Sequence, residues 1–308
     1  MKARNELANF SSLSPVFATI GVFDGVHKGH QHLLKGLREI AEASRCLALV
    51  ITFSRHPLEV LRPDSPVVYL NAQSERLDLL RQSADMILPL TFDRELSLLR
   101  PGQFIDFLRE KINLQGLVVG PGFAMGHNRE GKGTVLQSLG DQMQFSVDWI
   151  DGFTLDGKLV SSTAIREALT DHGSVDEARC LLGRSYSLLG TVQKGLGRGR
   201  YLGIPTINLA VDPGRVLPAD GVYATWAMVD GQYLPSATSI GFNPTFGGRI
   251  RTIEAHILDW DKDLYGREVD LVFIERIRSQ VNFESESALI RQMKLDVEQV
   301  KVLLEETS

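Results

Sequence analysis

The sequence predicts an α/β protein of two domains: a parallel sheet flanked by helices, then a small antiparallel sheet or barrel with a long terminal helix. Three observations predict it. The chain has 308 residues, more than a single hydrophobic core usually organises. Its first half alternates short apolar runs with helical patterns. Its second half breaks into short β-branched segments and closes on one long helical stripe.

In the first half, Val16–Ile20, Leu47–Phe53, Met86–Leu90 and Leu117–Val119 read as buried strands. His30–Ser44, Ala72–Gln82 and Pro101–Lys111 read as the helices between them. Short β-rich runs separated by helices of about 10–15 residues make βαβ units and a parallel sheet. Ligands of such sheets bind beyond the carboxyl ends of the strands, so the loops there are where chemistry is sought.

From Tyr186 onward, Gly190–Gln193, Thr206–Ala210, Val222–Met228, Ala237–Ile240, Thr252–Ile257 and Val269–Phe273 read as strands, punctuated by Gly, Pro and Asp. That pattern suits a small antiparallel sheet or barrel. The terminal helix runs from Ser285 to Glu305. Leu289, Met293, Val297, Val300 and Leu304 recur there at helical spacing, which reads as a packing face. The boundary falls between Leu169 and Gly190, where a short helix, Val175–Leu182, bridges the halves. The domains are thus 1–183 and 184–308.

The bulk numbers exclude several classes. Apolar residues make up 43% and charged residues 23%, ordinary for a globular chain. A net charge of -5 gives no bulk attraction to nucleic acid. The two cysteines, Cys46 and Cys180, form no CxxC and no metal-ligand cluster. Both sit among apolar neighbours and read as small buried hydrophobes. Residues 1–15 lack the apolar stretch of a secretory signal. The longest apolar runs are strand-sized, too short to span a bilayer. The expected location is the cytoplasm, with no membrane partner.

The first chemical segment is Gly21-Val22-Phe23-Asp24-Gly25-Val26-His27-Lys28-Gly29-His30. It leaves a predicted strand and enters a helix, the geometry that presents backbone N–H groups to phosphate. Gly21, Gly25 and Gly29 permit close approach or unusual dihedrals. If the helix has begun by His27, then His27 and His30 share a face. Such a pair can bind zinc, although no cysteine or clear third ligand stands nearby. Beside a phosphate-binding turn, the same imidazoles can instead donate hydrogen bonds to a phosphate as charge develops on it.

This run resembles the nucleotidylyltransferase signature of bifunctional prokaryotic riboflavin kinase/FAD synthetases. The resemblance implies a Rossmann-like FMN adenylyltransferase domain followed by a riboflavin kinase barrel. Ser161-Ser162-Thr163-Ala164-Ile165-Arg166 resembles the family's Ser-Ser-Thr-x-x-Arg motif. A helix start of this kind caps its own N–H groups or receives an anion, and Arg166 can clamp phosphate oxygens. Thr52-Phe53-Ser54-Arg55-His56-Pro57 is similar to the family's Thr-Phe-x-x-His-Pro, which implies that His56 and Pro57 border the substrate. A turn fixed by Pro57 explains the same residues. Two positions depart from the family. Gly122 stands where Asp or Asn is usual, and Ala164 where many members carry Arg. The resemblance implies that Gly21, Phe23, Asp24, Gly25, Gly29, Ser162 and Thr163 bind nucleotide, with His27, His30 and Arg166 catalytic.

The second chemical segment is Lys194-Gly195-Leu196-Gly197-Arg198-Gly199-Arg200-Tyr201-Leu202-Gly203, then Ile204-Pro205-Thr206-Ile207-Asn208. A basic glycine-rich loop can wrap phosphates; a flexible RNA-binding loop is the alternative, with only Tyr201 for stacking. If 206–209 is a strand, Thr206 and Asn208 face the same way. A hydroxyl and an amide side by side suit a phosphate-bound Mg²⁺. The run resembles the kinase motif Gly-Phe-Pro-Thr-Ala-Asn, with Ile207 in place of Ala. Thr252-Ile253-Glu254-Ala255-His256 followed by Asp263-Leu264-Tyr265-Gly266 is similar to the family's Glu-x-His…Asp-Leu-Tyr-Gly block. The resemblance implies that Glu254 is the general base and that Gly195, Arg198 and Gly203 bind nucleotide. It further implies that Asn243 and Thr245 border the substrate pocket.

The implied activity is phosphorylation of riboflavin to FMN and adenylylation of FMN to FAD, with ATP as co-substrate of both. Gly122 and Ala164 leave open a riboflavin kinase with a weakened adenylyltransferase domain. A nucleotidylyltransferase for another phosphate ester, such as phosphopantetheine, is opposed by the kinase-like half, and a flavin-binding regulator without catalysis is opposed by Thr206, Asn208 and Glu254.

Overall fold

Strands of the first half are apolar along most of their length because both of their faces are covered. The computed structural model describes residues 2–10, 12–195, 198–242 and 251–306. The chain divides into two compact units, Met1–Ser161 and Ser162–Ser308. In the first, α1 (Lys2–Ala8) leads to β1 (Ser12–Gly21), α2 (Lys28–Ala43), β2 (Leu47–Phe53), α3 (Pro57–Leu61), α4 (Gln73–Arg81) and β3 (Met86–Leu90). Then come α5 (Arg94–Ser97), α6 (Pro101–Arg109), β4 (Ile112–Val119), α7 (Gly133–Met143) and β5 (Ser146–Trp149). The strands form one parallel sheet in the order β3-β2-β1-β4-β5. A small hairpin, β6 (Thr154–Leu155) with β7 (Lys158–Leu159), follows.

Alternation along β2 shows how the sheet is buried. Leu49, Ile51 and Phe53 enter a core with Leu7 of α1 and Phe104 and Leu108 of α6. Ala48 and Val50 enter the opposite core, with Leu34 and Leu37 of α2 and Leu80 of α4. Successive strand residues point to opposite faces, so only a strand apolar at every position can be sandwiched this way.

The four expected strands are present in a parallel sheet, with the three expected helices, whereas α1, α3, α5 and α7 were not expected, and β1 and β4 both begin ahead of their apolar runs. β4 begins at Ile112, ahead of its apolar run, because buried Ile112 and Leu114 alternate with exposed Asn113 and Gln115. β5 was not predicted: it is short, and only Val147 of it enters the core.

The second unit begins with α8 (Ser162–Glu167), a π-helical turn (Ala168–His172) and α9 (Val175–Leu182). Next come β8 (Ser187–Gln193), α10 (Arg198–Tyr201), β9 (Ile207–Val211), β10 (Gly221–Val229) and β11 (Gln232–Phe242). β12 (Arg251–Ile257), β13 (Glu268–Ser279) and α11 (Glu286–Glu306) complete it. The strands close into an antiparallel barrel in the order β10-β11-β12-β9-β8-β13. Each strand predicted for this half is present, and the barrel is the alternative that holds. Tyr223, Thr225, Ala227 and Val229 of β10 are buried, while Val222, Trp226 and Met228 between them are only half-buried.

The register of β13 against β10 skips Ile274 and Ile277. Each skip is a bulge, which re-aims a side chain. Both isoleucines pack with Val300 and Leu304 of α11. Only part of the predicted stripe on α11 is therefore a packing face, because Leu289, Met293 and Val297 line a cavity instead. The cysteines are a correction: Cys180 is exposed and Cys46 half-buried. On α9 the buried stripe is Val175, Ala178, Leu181 and Leu182, and Cys180 falls off it.

Close approach in the parallel sheet is sharpest at Gly116. A Cβ there would stand 2.3 Å from Ser146 Oγ and 2.4 Å from the Phe17 ring. Gly116→Ala is expected to fold but to lose about 1–3 kcal/mol through overpacking, read from the midpoint of urea unfolding.

Candidate functional site

β1 and β2 end together, with Gly21 beside Thr52 in the ladder. The turn into α2 starts from that edge. Phe23 (φ 55), Gly25 (φ 81) and Val26 (φ 39) all occupy positive φ. Gly25 does so freely. For Phe23 and the β-branched Val26 it costs about 1–3 kcal/mol each. Neighbouring groups hold the turn in place. The Asp24 carboxylate accepts from Leu70 N at 3.0 and 3.3 Å, and Gly25 N donates to Asn71 Oδ1 at 3.2 Å. Phe23, Val26, Asp24 and Asn71 are all buried.

α2 begins at Lys28, one residue later than shared-face reasoning requires, so His27 is its N-cap. The two histidines still meet. His27 Nδ1 accepts from His30 N at 3.3 Å, and the rings stack with centroids 3.6 Å apart. Phe23 meets the His30 ring edge-on at 5.2 Å. A Cβ at Gly29 would press at 3.1 Å on both the His27 ring and Val160 O, so glycine makes room there. Burial, and then the neighbouring His27, push the His30 imidazole well below its ordinary value. The residue is half-buried, and its Nδ1 is sealed from solvent without a hydrogen-bond partner. His30 is therefore neutral at about pH 7.

Beneath this turn lies a residue that sequence reading missed. Arg76 is almost fully buried. Its Nη2 donates to Phe53 O at 2.7 Å, and its guanidinium lies 5.9 Å from the Tyr69 ring centre. Burial pulls its proton affinity down, and the Asp24 charge holds it up. Arg76 thus links the ends of β1 and β2 to the segment carrying Tyr69 and Leu70. Tyr69 accepts from His56 N at 2.6 Å and donates to Glu59. Burial and that bond push its phenol up to about 12. Asn71 was equally silent. An Asn before a helix reads as an N-cap, yet Ala72 holds that position and Asn71 turns inward.

The remaining residues of the first set are placed as follows. His56 is the N-cap of α3, its Nδ1 accepting from Leu58 N at 3.1 Å, and Pro57 is the first helical residue. Gly122 has φ +69, and a Cβ there would meet nothing within 4 Å. Arg129 Nη2 donates to its carbonyl at 3.0 Å. Ser162, Thr163 and Arg166 lie on α8, in the second compact unit.

In that second unit, β12 alternates. Ile253, Ala255 and Ile257 are buried, and Thr252, Glu254 and His256 are half-buried. Glu254 pairs in register with Asn208 of β9. Thr206, one residue before β9 rather than within it, donates its Oγ1 hydrogen to Glu254 Oε2 at 3.1 Å. His256 Nδ1 donates to Pro205 O at 2.7 Å, which pins the turn that carries Thr206.

The glycine-rich loop closes over the same group. A Cβ at Gly195 would stand 2.2 Å from Asn208 Nδ2, and one at Gly199 would stand 2.9 Å from Thr206 Oγ1. Arg198 opens α10, and Gly203 (φ +78) follows its end. Asn243 and Thr245 lie outside the described residues, as do Leu196 and Gly197 of the loop. Thr206, Glu254 and His256 face a cavity of about 840 Å³ that is also lined by Tyr201, Arg278 and Met293. Among the described residues, no group of three or more His, Cys, Asp or Glu side chains is placed to hold a metal ion.

Two family profiles match the chain: FAD synthetase over residues 10–164 and riboflavin kinase over residues 182–304. The bifunctional riboflavin kinase/FMN adenylyltransferase of Escherichia coli K12 is 36% identical over 281 residues, covering 90% of this chain and 89% of that protein. This chain belongs to the bifunctional riboflavin kinase/FMN adenylyltransferase family. The Pseudomonas fluorescens member is 36% identical over 93% of this chain and 92% of its own. The Bacillus subtilis member is 32% identical over 90% and 89%. A crystal structure from Streptococcus pneumoniae, described as a macrolide-efflux protein, aligns with a TM-score of 0.87 at 30% identity over 96% of both chains. Here, no helix among the described residues is long and apolar enough to cross a membrane. The chain thus carries both domains of this two-activity enzyme family, as the motifs implied.

The weak proton affinity of His30 has a consequence for stability. In the unfolded chain it takes up a proton near the ordinary value of about 6.5, and in the native state only at lower pH. Below about pH 6.5 the unfolded state binds more protons, so stability falls with falling pH until the native ring also protonates. Thermal unfolding followed from about pH 7.5 to about pH 5 is expected to show this loss, and His30→Gln is expected to reduce it.

Proposed function

We propose that the barrel cluster phosphorylates riboflavin to FMN and that the histidine turn adenylylates FMN to FAD, in the cytoplasm, where ATP is available to both. The observation that carries the kinase reading is the Thr206–Glu254 hydrogen bond of 3.1 Å beside Asn208, at the wall of a cavity of about 840 Å³. With Oε2 held by Thr206, Glu254 presents Oε1 as the base. It takes the proton of the ribityl 5′-hydroxyl as that oxygen attacks the γ-phosphorus of ATP and ADP leaves. Gly195, Arg198 and Gly203 belong to the loop that covers the phosphates.

Mg²⁺ fits the donor set. Thr206 and Asn208 offer neutral oxygens beside a carboxylate, the hard ligands that Mg²⁺ prefers, and the glycines leave a cradle that a Cβ would fill. Thr206 and Asn208 would hold it, and when bound it would neutralise charge on the phosphates.

In the adenylyltransferase reaction, a phosphate oxygen of FMN attacks the α-phosphorus of ATP and pyrophosphate leaves. This step needs positioning and charge stabilisation rather than a covalent intermediate. His30 is neutral in the free protein, and an anion brought beside it raises its proton affinity. His27, Arg166 and the N–H groups at the start of α2 share that task, with Gly21, Phe23, Asp24, Gly25 and Gly29 shaping the turn. Ser162 and Thr163 receive the phosphates, and His56 and Pro57 border the flavin. The profile matches at 10–164 and 182–304 support assigning the two activities to domains 1–183 and 184–308, although residues 162–183 belong to the second compact unit.

The deciding assay is riboflavin with MgATP, followed by separation of products. FMN and FAD together support the reading; FMN alone leaves a kinase, and neither product leaves a flavin-binding regulator. Glu254→Ala is expected to slow FMN formation by orders of magnitude while FAD still forms from supplied FMN. Replacing His27 and His30 together by Ala is expected to abolish FAD formation and spare FMN formation. A side chain is absent at Gly122, where the family usually has Asp or Asn. The site is open, and Asn tolerates its positive φ. Gly122→Asn is expected to fold normally and to raise kcat for FAD formation several-fold.

A further inference from the structure

α11 lies on the outer face of the barrel in two differently held halves. Its C-terminal half is seated on apolar side chains, with Val300 and Leu304 buried against Ala224, Trp226 and Ile274. Its N-terminal half has no such seat, because Leu289, Met293 and Val297 face the cavity that Thr206 and Glu254 also line. One carboxylate holds that half down. Asp296 is buried and accepts from Arg278 Nε at 2.9 and 3.0 Å and from Nη2 at 2.6 Å. Gln292 Nε2 adds a bond to the same carboxylate at 2.9 Å. Arg278 also donates from Nη1 to Ser279 O at 3.0 Å, and its guanidinium lies 5.8 Å from the Phe283 ring centre. The pair therefore ties the helix to β13 and to the segment that leads into it.

Register relates this pair to the site. Arg278 lies opposite Val222, Val222 opposite Ser239, and Ser239 opposite Glu254. All four line the cavity. Three strand spacings, about 14 Å measured along the sheet, separate the anchor from Glu254. The pair thus stands at one end of a row whose other end carries the carboxylate. A buried ion pair of this kind adds little net stability, since apolar residues of similar volume often replace it without loss. What it does supply is a fixed position, through two parallel bonds of defined geometry.

We propose that Arg278 and Asp296 are positioning residues of the kinase reaction: they fix the gap between α11 and the barrel and so set affinity for the flavin, leaving phosphoryl transfer to Glu254 and Thr206. The proposal rests on the riboflavin kinase reading, and FMN formation by the wild-type protein tests that reading by itself.

The pair is tested by combining Arg278→Met with Asp296→Leu in the full chain, beside Asp296→Asn and Arg278→Lys. Thermal unfolding, kcat, the KM values for riboflavin and ATP, and FAD formation from supplied FMN are measured for each. The double variant is expected to unfold close to the wild-type temperature and to make FAD from FMN at the wild-type rate. Its KM for riboflavin is expected to rise about tenfold or more, with kcat changed less than about threefold and the KM for ATP unmoved. Arg278→Lys, which keeps charge but loses the two-bond geometry, is expected to fall between. A folded double variant with the wild-type KM for riboflavin overturns the proposal, as does a loss that falls on kcat alone. If only the double variant fails to fold, Asp296→Asn decides by the same split.

Discussion

Because a ladder of main-chain hydrogen bonds moves only in whole-residue steps, the register of each sheet decides which side chains meet. Both candidate sites depend on it. In the parallel sheet it brings the ends of β1 and β2 level, Gly21 beside Thr52, so the histidine turn and the loop after β2 leave from one edge. In the barrel it aligns Asn208, Glu254, Ser239, Val222 and Arg278 in a single row. No local feature of β12 makes Glu254 special; its neighbours across the ladder do.

The two sites are stabilised in opposite ways. The histidine turn is strained at Phe23 and Val26, and buried polar groups keep it so. Asp24, Asn71 and Arg76 each take a main-chain partner from another segment. Removing any one of them would let the turn relax. In the barrel cluster Asn208 and Glu254 sit on regular strand, and the tight points are glycines in the covering loop. One site is thus shaped by polar anchoring from below, the other by the absence of side chains above.

Periodicity carried most of the fold. Continuous apolar runs marked the sandwiched parallel strands, and β-branched segments marked each strand of the barrel. The misses have physical causes. β5 contributes a single core residue, Val147, too little to leave a pattern. Contiguous motifs also revealed the histidine turn, Thr206, Asn208 and Glu254. Asn71, Arg76 and Tyr69 were hidden because their partners are far away in sequence and their own surroundings look like a polar loop. Asp296 did leave a signal: a carboxylate on the apolar stripe of α11, between Met293 and Val300 in the helical repeat. An acid at such a position needs a buried cation, and Arg278 is where the fold provides one.

The two bulges of β13 bear on how this strand can change length. Ile274 and Ile277 are extra residues that the ladder steps over, so the faces on either side stay in phase. Excising Ile277 would restore an unbroken ladder with Arg278 still opposite Val222, at the loss of one apolar contact beneath α11. A deletion anywhere else in the strand would turn the residues beyond it to the wrong face. Natural or engineered shortening of β13 therefore has two permitted points, and each removes a residue that packs beneath α11.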